Sequence, residues 1–178
     1  MISYEIALGL SIMGPIMLAG TMSLQGIIAA QHDSIWYVAL QPVAALVFFL
    51  AGMAEVNRAP FDMPEAEQEL TAGYFTEYSG MKFSLFFMGE YIKMVAVSAI
   101  ATTLFFGGYL GPFVEQLPWL GILYFTIKTG ALLFLMIWIR LTLPRLRYDQ
   151  LMAFGWKVLL PVSLANVVVT ATVIVLGD

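Results

Sequence analysis

Residues 55–77 read EVNRAPFDMPEAEQELTAGYFTE and separate two long apolar parts of the chain. They contain five of the eight glutamates of the protein, together with Asp62. The chain is 61% hydrophobic and 11% charged, whereas soluble domains contain about 25% charged residues. We therefore predict an integral membrane protein with one acidic connection between spans. Because like charges repel, some of these acids are expected to retain protons near neutral pH, which suits a protein that moves protons or meets a redox-active head group.

The apolar segments on both sides of this connection are long enough to cross a bilayer, which takes roughly 20 mostly apolar residues in a helix. Five segments meet that length. We predict an all-α fold, a polytopic transmembrane helix bundle, that forms a single membrane domain over residues 1–178. The first apolar segment has no basic residues before it, so we expect a retained span rather than a secretion signal. The predicted spans are 2–30, 36–57, 81–106, 119–143 and 151–176, and the acidic loop is 58–80.

Basic residues indicate how the bundle is oriented. We call the membrane face that carries the acidic loop side 1 and the opposite face side 2. Six Lys and Arg residues lie on or near side 1, and side 2 receives none, so the positive-inside rule places side 1 in the cytoplasm, or in the matrix of a mitochondrion. The six basic residues are Arg58, Lys82, Arg140, Arg145, Arg147 and Lys157.

The acidic loop has signals of local structure. Pro60 disfavours helix at Ala59 and so predicts the end of the second span there. Asp62 and Glu65 have the spacing of a capping box, which predicts a short helix over 63–72 that stops at Gly73. Acids near the N-terminus of such a helix are favoured by its dipole, so a solvated surface helix remains an alternative to a functional site.

Three charged residues fall inside predicted spans, where a charge costs at least about 2.5–3.5 kcal/mol. Glu90 and Lys93 lie nine and twelve residues into the third span, roughly 14–18 Å deep. They are three residues apart and can form an ion pair without a transport role. Lys128 lies nine residues into the fourth span and has no local partner, so Glu90 or a neighbouring subunit is expected to supply one. The alternative is a proton path, to which Glu5, Glu55 and Glu77 could lead from side 1.

Other chemistries have little support. The chain has no cysteine, which excludes thiolate-held iron–sulfur clusters and thiol catalysis within it. The single histidine, His32, is followed by Asp33, a pair more typical of a loop than of a metal site. The sequence has no phosphate-binding glycine pattern, nucleophile elbow or metal-ligand spacing. We predict no metal and no cofactor bound by this chain.

The acidic segment nevertheless resembles a known family. Residues 54–70, AEVNRAPFDMPEAEQEL, followed by Gly73 and by TEYSG at 76–80, are similar to the signature of the H-type membrane subunit, subunit 1, of proton-pumping NADH:quinone oxidoreductase, respiratory complex I. The motifs ISYE at 2–5, GEY at 89–91 and RLRYDQL at 145–151 also match. The resemblance covers essentially the whole chain.

The resemblance implies a non-redox subunit of a translocase in the bacterial inner (plasma) membrane, or in the mitochondrial inner membrane, that couples quinone reduction to proton translocation. Ubiquinone or another quinone is the implied substrate. FMN and iron–sulfur clusters are implied in partner subunits, which include the hydrophilic subunits at the quinone site and small membrane subunits. The implied quinone-cavity and coupling-loop residues are Glu55, Arg58, Phe61, Asp62, Glu65, Glu67 and Glu69. Glu5, Glu77 and Glu90 match glutamates of a polar passage, and Lys93 and Lys128 join them as proton-path candidates from their depth.

One departure is length, because members of the family contain further spans before the Ser-Tyr-Glu helix, so this sequence corresponds to the C-terminal part of the family's length. Two alternatives stay open. The chain could be the equivalent subunit of an energy-converting membrane-bound hydrogenase, which needs no quinone. It could also be an independent ion transporter with a site at Glu90, Lys93 and Lys128, although the sequence lacks the internal repeats typical of transporters.

Overall fold

The computed structural model describes residues 2–32, 35–57, 60–61, 80–114, 116–144 and 146–177. Within these residues every regular element is a helix, which confirms the predicted all-α class. Eight α-helices follow one another, with one turn of π-helix between the last two. They are α1 (Ile2–Ala19), α2 (Leu24–His32), α3 (Tyr37–Leu40), α4 (Pro42–Glu55), α5 (Met81–Phe105), α6 (Trp119–Thr142), α7 (Tyr148–Phe154), the π-turn (Gly155–Leu159) and α8 (Leu160–Gly177).

Three helical stretches in the described residues are long and apolar enough to cross a membrane: Met81–Phe105, Trp119–Thr142 and Tyr148–Leu176. A fourth candidate is the pair α1 and α2, bent by 56° at the break between them. The third and fourth predicted spans match α5 and α6 to within one residue. The fifth begins three residues earlier than predicted, at Tyr148, and contains the π-turn.

The first predicted span is not one helix. α1 ends at Ala19, and Gly20 follows with φ +65°, a left-handed conformation that glycine adopts without steric strain. The Gly20 amide closes the last turn on the carbonyl of Ile16 at 2.9 Å. Hydropathy alone cannot find this break because residues on both sides are apolar.

The second predicted span is also broken. α4 contains only 14 residues, about 21 Å of helix, and is preceded by the short α3. Gln41 separates the two with φ −132° and ψ 63°. The reason is Pro42, which lacks an N–H and disfavours the helical conformation of the residue before it. By length, α4 alone is too short to count among the span candidates.

Helix packing divides the bundle into two ends. α1 packs against α4 and α8, and α5 packs against α6. At side 2, the end of α2, α3, the start of α4 and the end of α5 share a core built on Ile27, Tyr37, Phe48 and Phe105. At side 1, a second core joins α1, α4, α5, α6 and α7. Its buried members are Tyr4, Ala51, Met53, Ala54, Val56, Phe61, Met94, Met136 and Leu151.

Gln31 stabilises the side 2 end. Its side chain is 1% exposed, and its Nε2 donates to the carbonyls of Thr103 and Leu104 at 3.2 and 3.1 Å. These are among the last carbonyls of α5, which lack partners within their own helix. Its Oε1 accepts from the backbone N–H of Tyr37 at 3.4 Å. One amide therefore joins α2, α3 and the C-terminus of α5.

We expect Gln31→Leu to lower the free energy of unfolding by about 2–4 kcal/mol, because it leaves buried carbonyls without a donor. The measurement is the midpoint of heat-induced loss of the folded protein in detergent. Gln25→Leu, at an exposed position of the same helix, is the matched control and should change the midpoint little. Equal midpoints for the two variants would contradict the role assigned to Gln31.

Candidate functional site

The side 1 core determines where the predicted acids lie. Glu5 follows the buried Tyr4 in the first turn of α1, and Glu55 follows the buried Ala54 at the end of α4. Glu90 lies four residues before the buried Met94 on α5, and therefore on the same helix face. The three glutamates are thus next to members of one hydrophobic cluster although they are far apart in the sequence.

Glu55 is the most informative acid in the described residues. It is the last residue of α4 and is half-buried. Its Oε2 is buried and, within the described part of the chain, has no hydrogen-bond partner. A buried acceptor without a donor is costly, so such groups are commonly completed by water, a ligand or another protein group. Glu55 is therefore positioned to accept a hydrogen bond from something outside the described residues.

Phe61 anchors the chain where the acidic loop begins. Its side chain is 6% exposed, and its ring stacks on Phe154 of α7, with centroids 6.3 Å apart and an angle of 18° between planes. Beside it, the carbonyl of Pro60 accepts from the N–H of Leu146 at 3.0 Å. The first residues of the loop are therefore held against the connection between α6 and α7, next to Arg147.

Several predicted site residues lie outside the described residues, and so do the predicted helix over 63–72, its capping box and its stop at Gly73. These site residues are Arg58, Asp62, Glu65, Glu67, Glu69 and Glu77.

Lys128 has partners that the sequence did not predict. Its Nζ donates to the carbonyls of Phe106, Gly108 and Leu110 at 2.7, 3.2 and 2.6 Å. The same ammonium group lies 4.4 Å from the ring centroid of Trp36. These contacts hold the turn that follows α5 at side 2.

Lys128 is also far from Glu90. Thr102 and Thr129 approach at 3.3 Å between their hydroxyl oxygens, which fixes the level of α6 against α5. Glu90 lies twelve residues before Thr102, about 18 Å along the helix axis. The expectation that Glu90 or a neighbouring subunit partners Lys128 is therefore not met, because the lysine is bound by carbonyls of its own chain.

Lys93 differs from Lys128. It is exposed on α5 and has no hydrogen bond or ion pair with any described residue. The ion pair between Glu90 and Lys93 that the sequence allowed is not formed. Lys93 therefore points away from the side 1 core although Glu90, three residues earlier, is half-buried.

Sequence reasoning missed a buried polar contact in the bundle interior. Gln41, 6% exposed at the break before α4, donates from Nε2 to Thr170 Oγ1 of α8 at 2.9 Å. Its Oε1 fits against Gly14 of α1, where a Cβ atom would overlap it. The Gln41-Pro42 pair was the available signal, because a proline in an apolar stretch marks a helix start that needs polar partners.

A cavity of about 830 Å³ opens at side 2 and is lined in part by His32, Trp36, Tyr109 and Phe113. It lies beside the turn that Lys128 holds and away from the predicted acids. Among the described residues, no group of three or more His, Asp or Glu side chains is close enough to bind a metal ion.

An all-helical membrane bundle with carboxylates collected at one end defines a class of ion-coupled membrane proteins. Residues 1–171 match the family model described as NADH dehydrogenase, and the chain belongs to that family. It is 53% identical over 175 residues to an H-type subunit, number 1, of the NADH-quinone oxidoreductase of Rhodopseudomonas palustris (strain BisB5), covering 98% of this chain and 53% of that protein.

Two further relatives agree. The H-type NADH-quinone oxidoreductase subunit of Protochlamydia amoebophila is 54% identical over 171 residues, and the second such subunit of Geobacter sulfurreducens is 52% identical over 174. These matches cover 96% and 98% of this chain and 51% of each relative. The chain therefore spans about half the length of the curated relatives it matches. The resemblance found in the acidic segment is confirmed at the level of the family.

We expect Lys128→Met to lower the free energy of unfolding by about 2–4 kcal/mol, because three carbonyls lose a charged donor. The measurement is again the thermal midpoint in detergent. Lys157→Met, at an exposed position, is the control. If Lys128 serves a proton path instead, Lys128→Met should leave the midpoint unchanged and reduce proton transport only.

Proposed function

We propose that this chain forms part of a membrane subunit of proton-pumping NADH:quinone oxidoreductase. In this proposal it contributes to the quinone cavity and couples quinone reduction to proton translocation. The observation that carries the proposal is the side 1 core, which gathers the neighbours of Glu5, Glu55, Phe61 and Glu90 at one end of the bundle. The names of the relatives supply the reaction class.

The chemistry proposed for these residues is binding and proton exchange. The buried Oε2 of Glu55 can accept a hydrogen bond from water or from a protonated carrier. A carboxyl group can then release or take a proton without any change in covalent structure. Electrons are supplied by the FMN and iron–sulfur clusters of partner subunits, and this chain, which has no cysteine, offers no thiolate ligand for a cluster.

The rest of the site belongs to the same proposal. Arg58, Asp62, Glu65, Glu67 and Glu69 contribute to the coupling loop, and Glu77 joins Glu5 and Glu90 in the proton path. Phe61 supports this arrangement because it is packed on Phe154 and so fixes the start of the loop beside Glu55. The contacts of Lys128 favour a structural role for that residue over a place in the path.

Two alternatives from the sequence are less well supported. The relatives described above are named as quinone oxidoreductase subunits and not as hydrogenase subunits. An independent transporter with a site at Glu90, Lys93 and Lys128 requires these residues to meet. The separation of Glu90 from Lys128 and the outward position of Lys93 argue against such a site.

Five spans, with side 1 in the cytoplasm, form the topology part of the proposal. α3 and α4 together reach from the side 2 core to the side 1 core, which supports one crossing despite the break at Gln41. The neighbouring break between α1 and α2 likewise leaves one bent crossing.

The chain's lack of cysteine allows a direct test of sidedness. In oriented membrane vesicles, Gln68→Cys should react with a membrane-impermeant thiol reagent from the cytoplasmic face only. Gln116→Cys, in the connection between α5 and α6, is the matched control and should react from the opposite face only. Labelling of Gln68→Cys from the outer face would refute the orientation.

The function is tested at Glu90 in the full-length protein within its complex. We expect Glu90→Gln to reduce proton-coupled quinone reduction at least tenfold, because an amide cannot exchange a proton, and Glu90→Asp to retain part of it. Glu115→Gln removes a carboxylate in the side 2 connection and should have little effect. Turnover and pumping are measured together on the assembled enzyme. Full activity of Glu90→Gln would remove Glu90 from the path.

A further inference from the structure

Lys93 is the central residue of α5, a 25-residue helix that is among the longest span candidates. Twelve residues separate it from either end of the helix, about 18 Å in each direction. A lysine side chain is much shorter than that distance, so its ammonium group cannot reach the head groups by extending along the helix. Exposed to lipid at this depth, a charged lysine is strongly unfavourable.

The position of Lys93 has a regular context. Six exposed residues follow each other along one face of α5 at alternating spacings of four and three, the spacing by which one helix packs against another. We call this face the α5 seam. Its members are Lys82, Phe86, Gly89, Lys93, Ala96 and Ile100.

Two features of the α5 seam suit a helical partner rather than lipid. Gly89 and Ala96 flank the lysine by one turn on either side, and small residues allow two backbones to approach closely within a membrane. At Gly89 a Cβ atom would meet nothing within 4 Å, so the space above it is open among the described residues. The lysine itself has no acceptor in the described part of the chain.

We infer that the α5 seam is covered by a transmembrane helix of another membrane chain, and that this helix presents an Asp or Glu carboxylate to Lys93 at the middle of the bilayer. The charge decides the chemistry of the partner, because a buried cation in a membrane is normally paired with an acid. The pair also fixes the register of the two helices, as single polar residues do in coiled coils. The inference does not depend on which carrier the enzyme reduces.

Removal of the charge gives opposite results for the two environments. If Lys93 faces lipid, Lys93→Met removes an unfavourable charge, and the protein should assemble as well as or better than the wild type. If Lys93 pairs with an acid, Lys93→Met leaves that carboxylate buried and unpaired. We expect at least a tenfold loss of the chain from the intact complex, measured by native gel electrophoresis of membranes solubilised in mild detergent.

Lys82→Met is the matched control, because Lys82 lies on the same seam at the end of the helix, where water can solvate it. This variant should assemble within twofold of the wild type. Assembly requires no quinone reduction, so the result is independent of the proposed activity.

The partner is identified by cross-linking in native membranes. A photoreactive benzoylphenylalanine in place of Ala96 should attach to a transmembrane helix of another chain, whereas the same residue in place of Val95, on another face of α5, should not attach to that helix. The captured helix must contain an Asp or Glu near its middle. Replacement of that acid by Asn or Gln should restore assembly in the Lys93→Met background.

Three results would overturn the inference. The first is normal or increased assembly of Lys93→Met. The second is cross-linking at position 96 to lipid only, or to another segment of the same polypeptide. The third is a captured helix with no acid near its middle, or one whose neutral variant fails to restore assembly.

Discussion

Every backbone carbonyl and N–H group inside a membrane bundle needs a partner, because lipid offers none. In this protein the helices break in apolar surroundings, and three side chains supply the missing partners. Gln31 binds the last carbonyls of α5, and Lys128 binds three carbonyls of the turn that follows. Gln41 joins the start of α4 to α8. The side 2 half of the bundle depends on these contacts.

The two ends of the bundle consequently have different roles. At side 2, polar side chains are bound to backbone or to each other, and the architecture is closed around Gln31 and Lys128. At side 1, the core is hydrophobic and acids surround it, with Glu55 retaining a buried oxygen that no described residue satisfies. A fully bonded end gives mechanical support, whereas an end with an open acceptor can take part in exchange. This contrast supports placing the proposed chemistry at side 1.

The basic residues illustrate how position changes the meaning of a charge. Lys93 and Lys128 both appear in the sequence as costly lysines deep within spans. Lys128 lies beside a helix C-terminus, where free carbonyls carry partial negative charge, and it is stabilised within the chain. Lys93 lies at the centre of a regular helix whose carbonyls are already bonded, so it needs an acceptor from elsewhere. The difference arises from the ends of α5 and not from the lysines.

The sequence by itself determined the class of fold, the family, and the bounds of α5 and α6, because long apolar runs and a distinctive acidic motif are local properties. It also placed Glu5, Glu55, Phe61 and Glu90 among the site candidates, although their roles stay predictions. Only the tertiary structure decided that the first two spans are broken and that Lys128 is bound to carbonyls while Lys93 is not. Hydropathy records how apolar a segment is, whereas a break or a polar partner depends on backbone dihedral angles and on residues far away in the chain.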